Sequence, residues 1–166
     1  MIELDVRPVM RSDGAEVIEA NRESAALHHP WVSPPTDDAA FDNWFAQTLT
    51  GANVSLLARI KATREIVGVF NLSNIVLGNF RSCYLGYYGM APLAGQGLMT
   101  QALGQVLHHA FDEIGLNRVE ANIQPGNERS IALVQRCGFQ KEGFSPRYLK
   151  INGAWRDHER WAKLAE

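Results

Sequence analysis

The chain has 166 residues, enough for one domain with its own core and no disulfide or metal staples. Its 46% apolar and 20% charged residues exclude a disordered or fibrous chain. A formal net charge of -2 and a sequence pI near 6.2 argue against a domain that grips nucleic acid through a broad basic face. No run approaches the ~20 apolar residues of a membrane span. Charges inside "MIELDVRPVM" argue against a signal peptide, so a soluble cytoplasmic protein is the expectation.

In chain order, "IELDVRPVM" alternates Ile2, Leu4 and Val6, which predicts a first strand stopped near Pro8. Ser12 or Asp13 offers a cap for a helix running to about Leu27. The Pro-rich "HHPWVSPP" cannot continue it. Thr36 or Asp37 caps a second helix with Phe41, Trp44, Phe45, Thr48 and Leu49 on one face. "NVSLLARIKA" alternates Val54, Leu56, Ala58 and Ile60, and with "EIVGVFNLSNIVL" it predicts a hairpin around Thr63. "SCYLGYYGM" is another strand.

The helix that follows has the clearest pattern, an apolar stripe from Leu98 through Ala102, Val106 and Ala110 to Ile114, with Gly115 as its C-terminal cap. "RVEANIQ" is a strand, "NERSIALVQRC" a short helix closed by Gly138, and the remainder a strand pair turning at Asn152-Gly153. Neither repeat nor linker interrupts residues 1–166, so a single α+β domain with a mixed, mainly antiparallel sheet is expected. Cys83 and Cys137 are far apart with no Cys/His cluster at zinc spacing, and adjacent histidines such as His28-His29 point in different directions on a helix. No metal site is expected.

Gly95 and Gly97 stand where the long helix opens. The first N–H groups of a helix lack intrahelical partners and carry the positive end of its dipole. Residues without side chains let an anion reach that backbone. A strand-to-helix turn built only for packing gives the same pattern, so the two readings stand together. No GxxxxGK[ST] is present, and the third glycine of a GxGxxG is Thr100 here.

With "YLGYYGMAPLAGQGLMTQAL", "NRVEANIQPGNERSIALVQRCGFQKEG", "YLKINGAWRDHERWA" and the N-terminal "NRESAALHHPWVSPP", the chain resembles, over nearly its whole length, the GNAT superfamily of acetyl-CoA-dependent N-acetyltransferases. More narrowly it resembles the RimJ/RimL type that acetylates ribosomal-protein N-termini. The resemblance implies the GNAT fold, with helices on both faces of the sheet. It implies direct acetyl transfer in a ternary complex, from acetyl-CoA to an amine and without a metal. The acceptor is a protein N-terminus, or else a free small amine, a modified amino acid or an amine toxin. A non-catalytic acyl-CoA-binding module is the reading outside enzymes. No direct nucleic-acid or membrane partner is implied, and the chain is a monomer or a homodimer through its closing strands.

The family's pyrophosphate loop falls on Ala94, Gly95, Gln96, Gly97, Leu98 and Met99. Ala94 departs from its usual Arg or Gln, and Met99 replaces a small residue. Backbone groups of Tyr88, Met90 and Ala91, on a strand that splays from the next, are implied to run along the pantetheine arm, with Asn127 facing them. Asn127 is equally an ordinary N-cap. The tyrosine that many relatives use as acid is Val134 here, and a closing-strand carboxylate aligns with Leu149. Ser130 and Tyr148 remain as hydroxyl candidates for the acid and Glu120 for the base, against the plainer readings of a solvated serine and a surface carboxylate. Trp31, Pro34 and Tyr87 are implied near the acceptor opening. Asp157 and His158 either orient the substrate end or form a structural salt bridge.

Overall fold

The computed structural model describes residues 1–166. Seven strands form one sheet: β1 (Leu4–Pro8), β2 (Val54–Ile60), β3 (Ile66–Val76), β4 (Ser82–Gly89), β5 (Arg118–Ile123), β6 (Gln140–Ile151) and β7 (Ala154–Leu164). Their order is β1-β2-β3-β4-β5-β7-β6, and only the β4–β5 pair is parallel. The helices are α1 (Gly14–Glu23), α2 (Ala25–His28), α3 (Asp38–Gln47), α4 (Leu98–His108) and α5 (Glu128–Arg136). Val17, Ile18, Phe41 and Phe45 of α1 and α3 pack with Leu57, Val69 and Tyr88 on one face of the sheet. Leu103, Val106, Leu133 and Val134 of α4 and α5 pack with Leu56, Phe70, Leu85 and Val119 on the other. The mixed sheet between helices is the architecture expected.

Burial on both faces explains why β2 hides nearly everything, including the positions that alternation assigns to solvent. Ser55, Leu57 and Arg59 are buried beside Leu56 and Ala58. The buried Arg59 guanidinium meets Asp13 at 3.3 Å and Glu16 at 2.7 Å, and Asp13 also takes a two-point contact from Arg7 at 2.8 and 2.9 Å. Neither Ser12 nor Asp13 therefore caps α1 through its side chain. The Asp13 carboxylate instead accepts the Met10 N–H at 2.7 Å and holds the two arginines. The helix expected to reach Leu27 breaks at Ser24, whose buried hydroxyl accepts the Ala91 N–H at 2.9 Å. That tertiary bond competes with continuation of the helix. Asp37 caps α3 as expected, accepting Ala40 N–H at 2.8 Å, but the helix ends at Gln47 and Leu49 is exposed.

One irregularity shapes the centre. β3 and β4 stay paired to Gly68↔Gly89, whereas β4 and β5 pair only at Ser82↔Arg118, Cys83↔Val119 and Tyr84↔Glu120. Beyond Tyr84 the two strands have parted, and a gap opens in the middle of the sheet.

Candidate active site

The chain leaves β4 through a tight turn at Ala91–Leu93 and enters α4 through Gly95 and Gly97, at φ 79° and 77°. Side chains rarely adopt that backbone. A Cβ at either glycine would meet no atom within 4 Å, so the space above the loop is open. The N–H groups of Gly95 through Thr100 have no hydrogen-bond partner in the chain. Unpaired donors at a helix start form a concave anion seat. Met99 does not crowd it, because its sulfur lies against Gly68 and Gly89 in the sheet. Ala94 offers no polar group, but the exposed Arg136 of α5 places its Nε 3.2 Å from Thr100 Oγ1 and sets a cation beside the loop.

The register corrects which backbone groups line the gap. Met90 N–H donates to Val67 O at 3.0 Å and Ala91 N–H to Ser24, so neither is free. By the alternation of an antiparallel ladder, Tyr88 also turns its backbone toward β3, and Leu85, Tyr87 and Gly89 turn theirs toward the side that β5 has left. The Gly89 carbonyl there accepts His28 Nε2 at 2.7 Å, which assigns the proton to that nitrogen. His28 is buried edge-on to Tyr88, ring centroids 5.1 Å apart, with Nδ1 unpartnered. Burial pushes its pKa down, opposed by the Gly89 bond.

Tyr87 projects to the α5 side, where its hydroxyl lies 2.5 Å from Ser130 Oγ and 3.2 Å from Ser130 O. Burial holds this phenol above its ordinary range, so it stays protonated. Asn127 caps α5, its Oδ1 accepting Ser130 N–H at 3.3 Å, which leaves its amide nitrogen unbonded.

Glu120 and Tyr148 lie on the other face of the sheet from Ser130. Val119, Ala121 and Ile123 are buried under the helices, so Glu120 points the opposite way, and Arg118 holds its Oε1 through Nε at 3.1 Å and Nη2 at 3.0 Å. The same guanidinium contacts Glu142. Tyr148 sits in an irregular stretch of β6 between Ser145 and Leu149, where a bulge re-aims side chains. Its ring lies 6.3 Å from that of His158, and its hydroxyl raises the pKa of the neighbouring Tyr84. The loop after α2 roofs this side. Trp31 lies against Gly126, and Asn152 of the β6–β7 turn joins Ser33 at 2.5 Å and Pro30 O at 3.1 Å. Pro34 is half-buried in the same loop. Asp157 and His158 form no salt bridge; Asp157 accepts Arg147 N–H at 2.8 Å. Ser24, His28 and Arg136 escape sequence reasoning, because each acts through a partner remote in the chain; Arg118 pairs with nearby Glu120 and meets Glu142 only on folding. The lone signal is the "HH" pair, which reads only as a poor chelate.

A family model described as "Acetyltransferase (GNAT) domain" matches residues 3–140. The chain belongs to the GNAT acetyltransferase family. Among curated GNAT relatives, the [Ribosomal protein uS5]-alanine N-acetyltransferase of Escherichia coli (strain K12) is 45% identical over 95 residues, 57% of this chain and 49% of that protein. The chain spans about half the length of the curated relatives it matches. Two solved GNAT structures follow it almost throughout. The ribosomal-protein-S5-alanine acetyltransferase of Vibrio fischeri superposes with a TM-score of 0.85 at 27% identity, covering 99% of this chain and 94% of that one. Mycobacterium smegmatis RimJ in complex with CoA-disulfide superposes with a TM-score of 0.87 at 29% identity, covering 98% and 82%.

Proposed function

We propose that this GNAT domain transfers the acetyl group of acetyl-CoA to an amine, most fittingly the α-amine at a protein N-terminus such as that of a ribosomal protein. One observation carries the reading: the unpaired N–H groups of Gly95 through Thr100 adjoin the place where β4 parts from β5. These donors and the open space over both glycines fit a diphosphate, and the gap's free strand edge fits an amide-bearing arm. The names of the uS5-alanine relatives support the acceptor class.

When bound, acetyl-CoA supplies the activated acetyl thioester. The loop N–H groups and Arg136 hold the phosphates. The backbone of Tyr87 and Gly89 and the amide of Asn127 orient the arm. Ser130, backed by the protonated Tyr87, donates a proton to the departing sulfur. Trp31 and the roof loop shield the acceptor side from water. The reference pKa of an α-amine, ~7.7 to 8.0, leaves part of it uncharged near neutral pH, so positioning supplies much of the acceleration.

Calorimetry with CoA and a panel of peptides, polyamines and amino acids tests the reading. The parent chain is expected to bind CoA and to acetylate peptides with a free N-terminus. Gly97→Glu, adding bulk and like charge at φ 77°, is expected to weaken CoA at least tenfold (~1.4 kcal/mol). Product only with small amines would replace the protein acceptor, binding without any product would leave an acyl-CoA module, and unchanged affinity in Gly97→Glu would remove the loop assignment.

A further inference from the structure

Glu120, the base expected from sequence, is bonded through Oε1 to Arg118, and the same guanidinium holds Glu142. The sheet register points to another group. Counted on from the last pair, Tyr84 and Glu120, four residues along each chain reach Tyr88 and Gln124, which stand on opposite sides of the gap. Ile123 lies opposite Glu159, so the residue of β7 level with Gln124 is His158. β5 ends at Ile123. Across the gap from the end of β4, the strand side chain beyond Gln124 on this face is therefore His158, further off than the ~10 Å of two paired-strand spacings because β4 and β5 have parted. That is room for an extended arm and an incoming amine.

His158 projects to the same face as Glu120 and Tyr84, away from α4 and α5, as its alternation with the α5-side residues Glu159 and Trp161 requires. It is 3% exposed, and Tyr148 lies over it. Its Nδ1 donates to Arg156 O at 2.9 Å. The lone pair is thereby left on Nε2, which no protein atom hydrogen-bonds and which is not sealed from solvent. A nitrogen fixed on one side by a carbonyl and open on the other is the arrangement of a general base. Tyr148 of β6 lies beside it, and Arg160, on the same face of β7, donates its Nε to Ser145 Oγ at 3.1 Å. Gly86, between Tyr84 and Tyr88 on β4, leaves open space above it: a Cβ there would meet nothing within 4 Å.

We infer that the acceptor amine enters over Gly86 and that His158 Nε2 takes its proton. The inference rests on the acetyl-transfer reading above. A bond forms between the amine nitrogen and the acetyl carbon. The carbon–sulfur bond breaks with its electron pair on sulfur, which gains a proton from the Ser130–Tyr87 hydroxyls. The nitrogen's proton passes to His158, and solvent exchange returns both groups to their starting states.

The test uses the parent chain, His158→Ala and His158→Gln, with acetyl-CoA and the tripeptide Ala-Ala-Ala amide. Both variants are expected to lose ~10²- to 10⁴-fold in kcat, the range of general-base catalysis, while the acetyl-CoA KM stays within about twofold. Added imidazole is expected to restore turnover to His158→Ala and not to His158→Gln, a readout that a structural role would not move. Nitrogen NMR of the unliganded parent is expected to show the Nδ1–H tautomer at His158, with its Nε2 resonance shifted by the tripeptide alone. A parent that acetylates none of the amine panel removes both readings. An active parent with an active His158→Ala, or an Nε2–H tautomer, removes this one and leaves acetyl transfer standing.

Discussion

Asp13 shows how much one side chain can decide. Burial by itself pushes its carboxyl up, but hydrogen bonds from Arg7, Met10 and Arg59 reverse that and bring its pKa from 3.8 to about 2. Below the ordinary value the unfolded chain takes up a proton that the fold refuses. The contribution, ~2 kcal/mol, is complete above about pH 4 and is lost as pH falls toward 2. Asp13→Asn is expected to lower stability at pH 7 by about 2 kcal/mol, since it removes the charge between Arg7 and the buried Arg59 and leaves Arg59 with Glu16, and to flatten the acid-side decline. Urea denaturation from pH 2 to 7 reads both, and an unchanged slope would refute the account. His28 adds a second window. Its lowered pKa means that stability present above ~6.5, the ordinary imidazole value, erodes as pH falls below it.

At the scale of elements, the meeting of α4 with β3 and β4 depends on two glycines facing each other across the strand pair. A Cβ on Gly68 would lie 2.5 Å from Met99 Sδ and 2.7 Å from Tyr88 O. The first neighbour is a flexible side chain; the second is backbone in a paired strand. Gly68→Ala is expected to cost about 1 to 3 kcal/mol by chemical denaturation, and Met99→Ala is not expected to rescue it, because the Tyr88 carbonyl remains. Full rescue would show that the sulfur alone sets the constraint. Met99 thus departs from the family's small residue without filling the phosphate seat. The Ser24 break works similarly, trading a turn of helix for a bond that pins Ala91 where the loop begins.

For the whole molecule, the central strand reports on cooperativity. Cys83 lies on β4 with its thiol buried, and burial pushes its pKa to about 12. Thiolate is the reactive form, so labelling at pH 8 is expected to follow global unfolding and to accelerate with urea in step with the loss of structure. Cys137, half-buried and also raised by burial, reports on the nearer end of α5. Rapid labelling of Cys83 in water would mean that the sheet opens locally along the gap.

Much of this architecture was legible before folding because it follows from short-range periodicity. The apolar alternation in the sequence of β1 and β2, the stripe of α4, the Asp37 cap and the Asn152-Gly153 turn each depend on neighbours within a few residues. The loop glycines were legible too, since their positive φ is a local demand. What only the tertiary structure decided involves partners far apart in sequence: Ser24 with Ala91, His28 with Gly89 and Tyr87 with Ser130, beside a gap that opens where β4 and β5 part. Alternation says that a strand residue faces one side or the other. It does not say which strands end early, and the early end of β5 makes the opening around which the candidate catalytic groups collect.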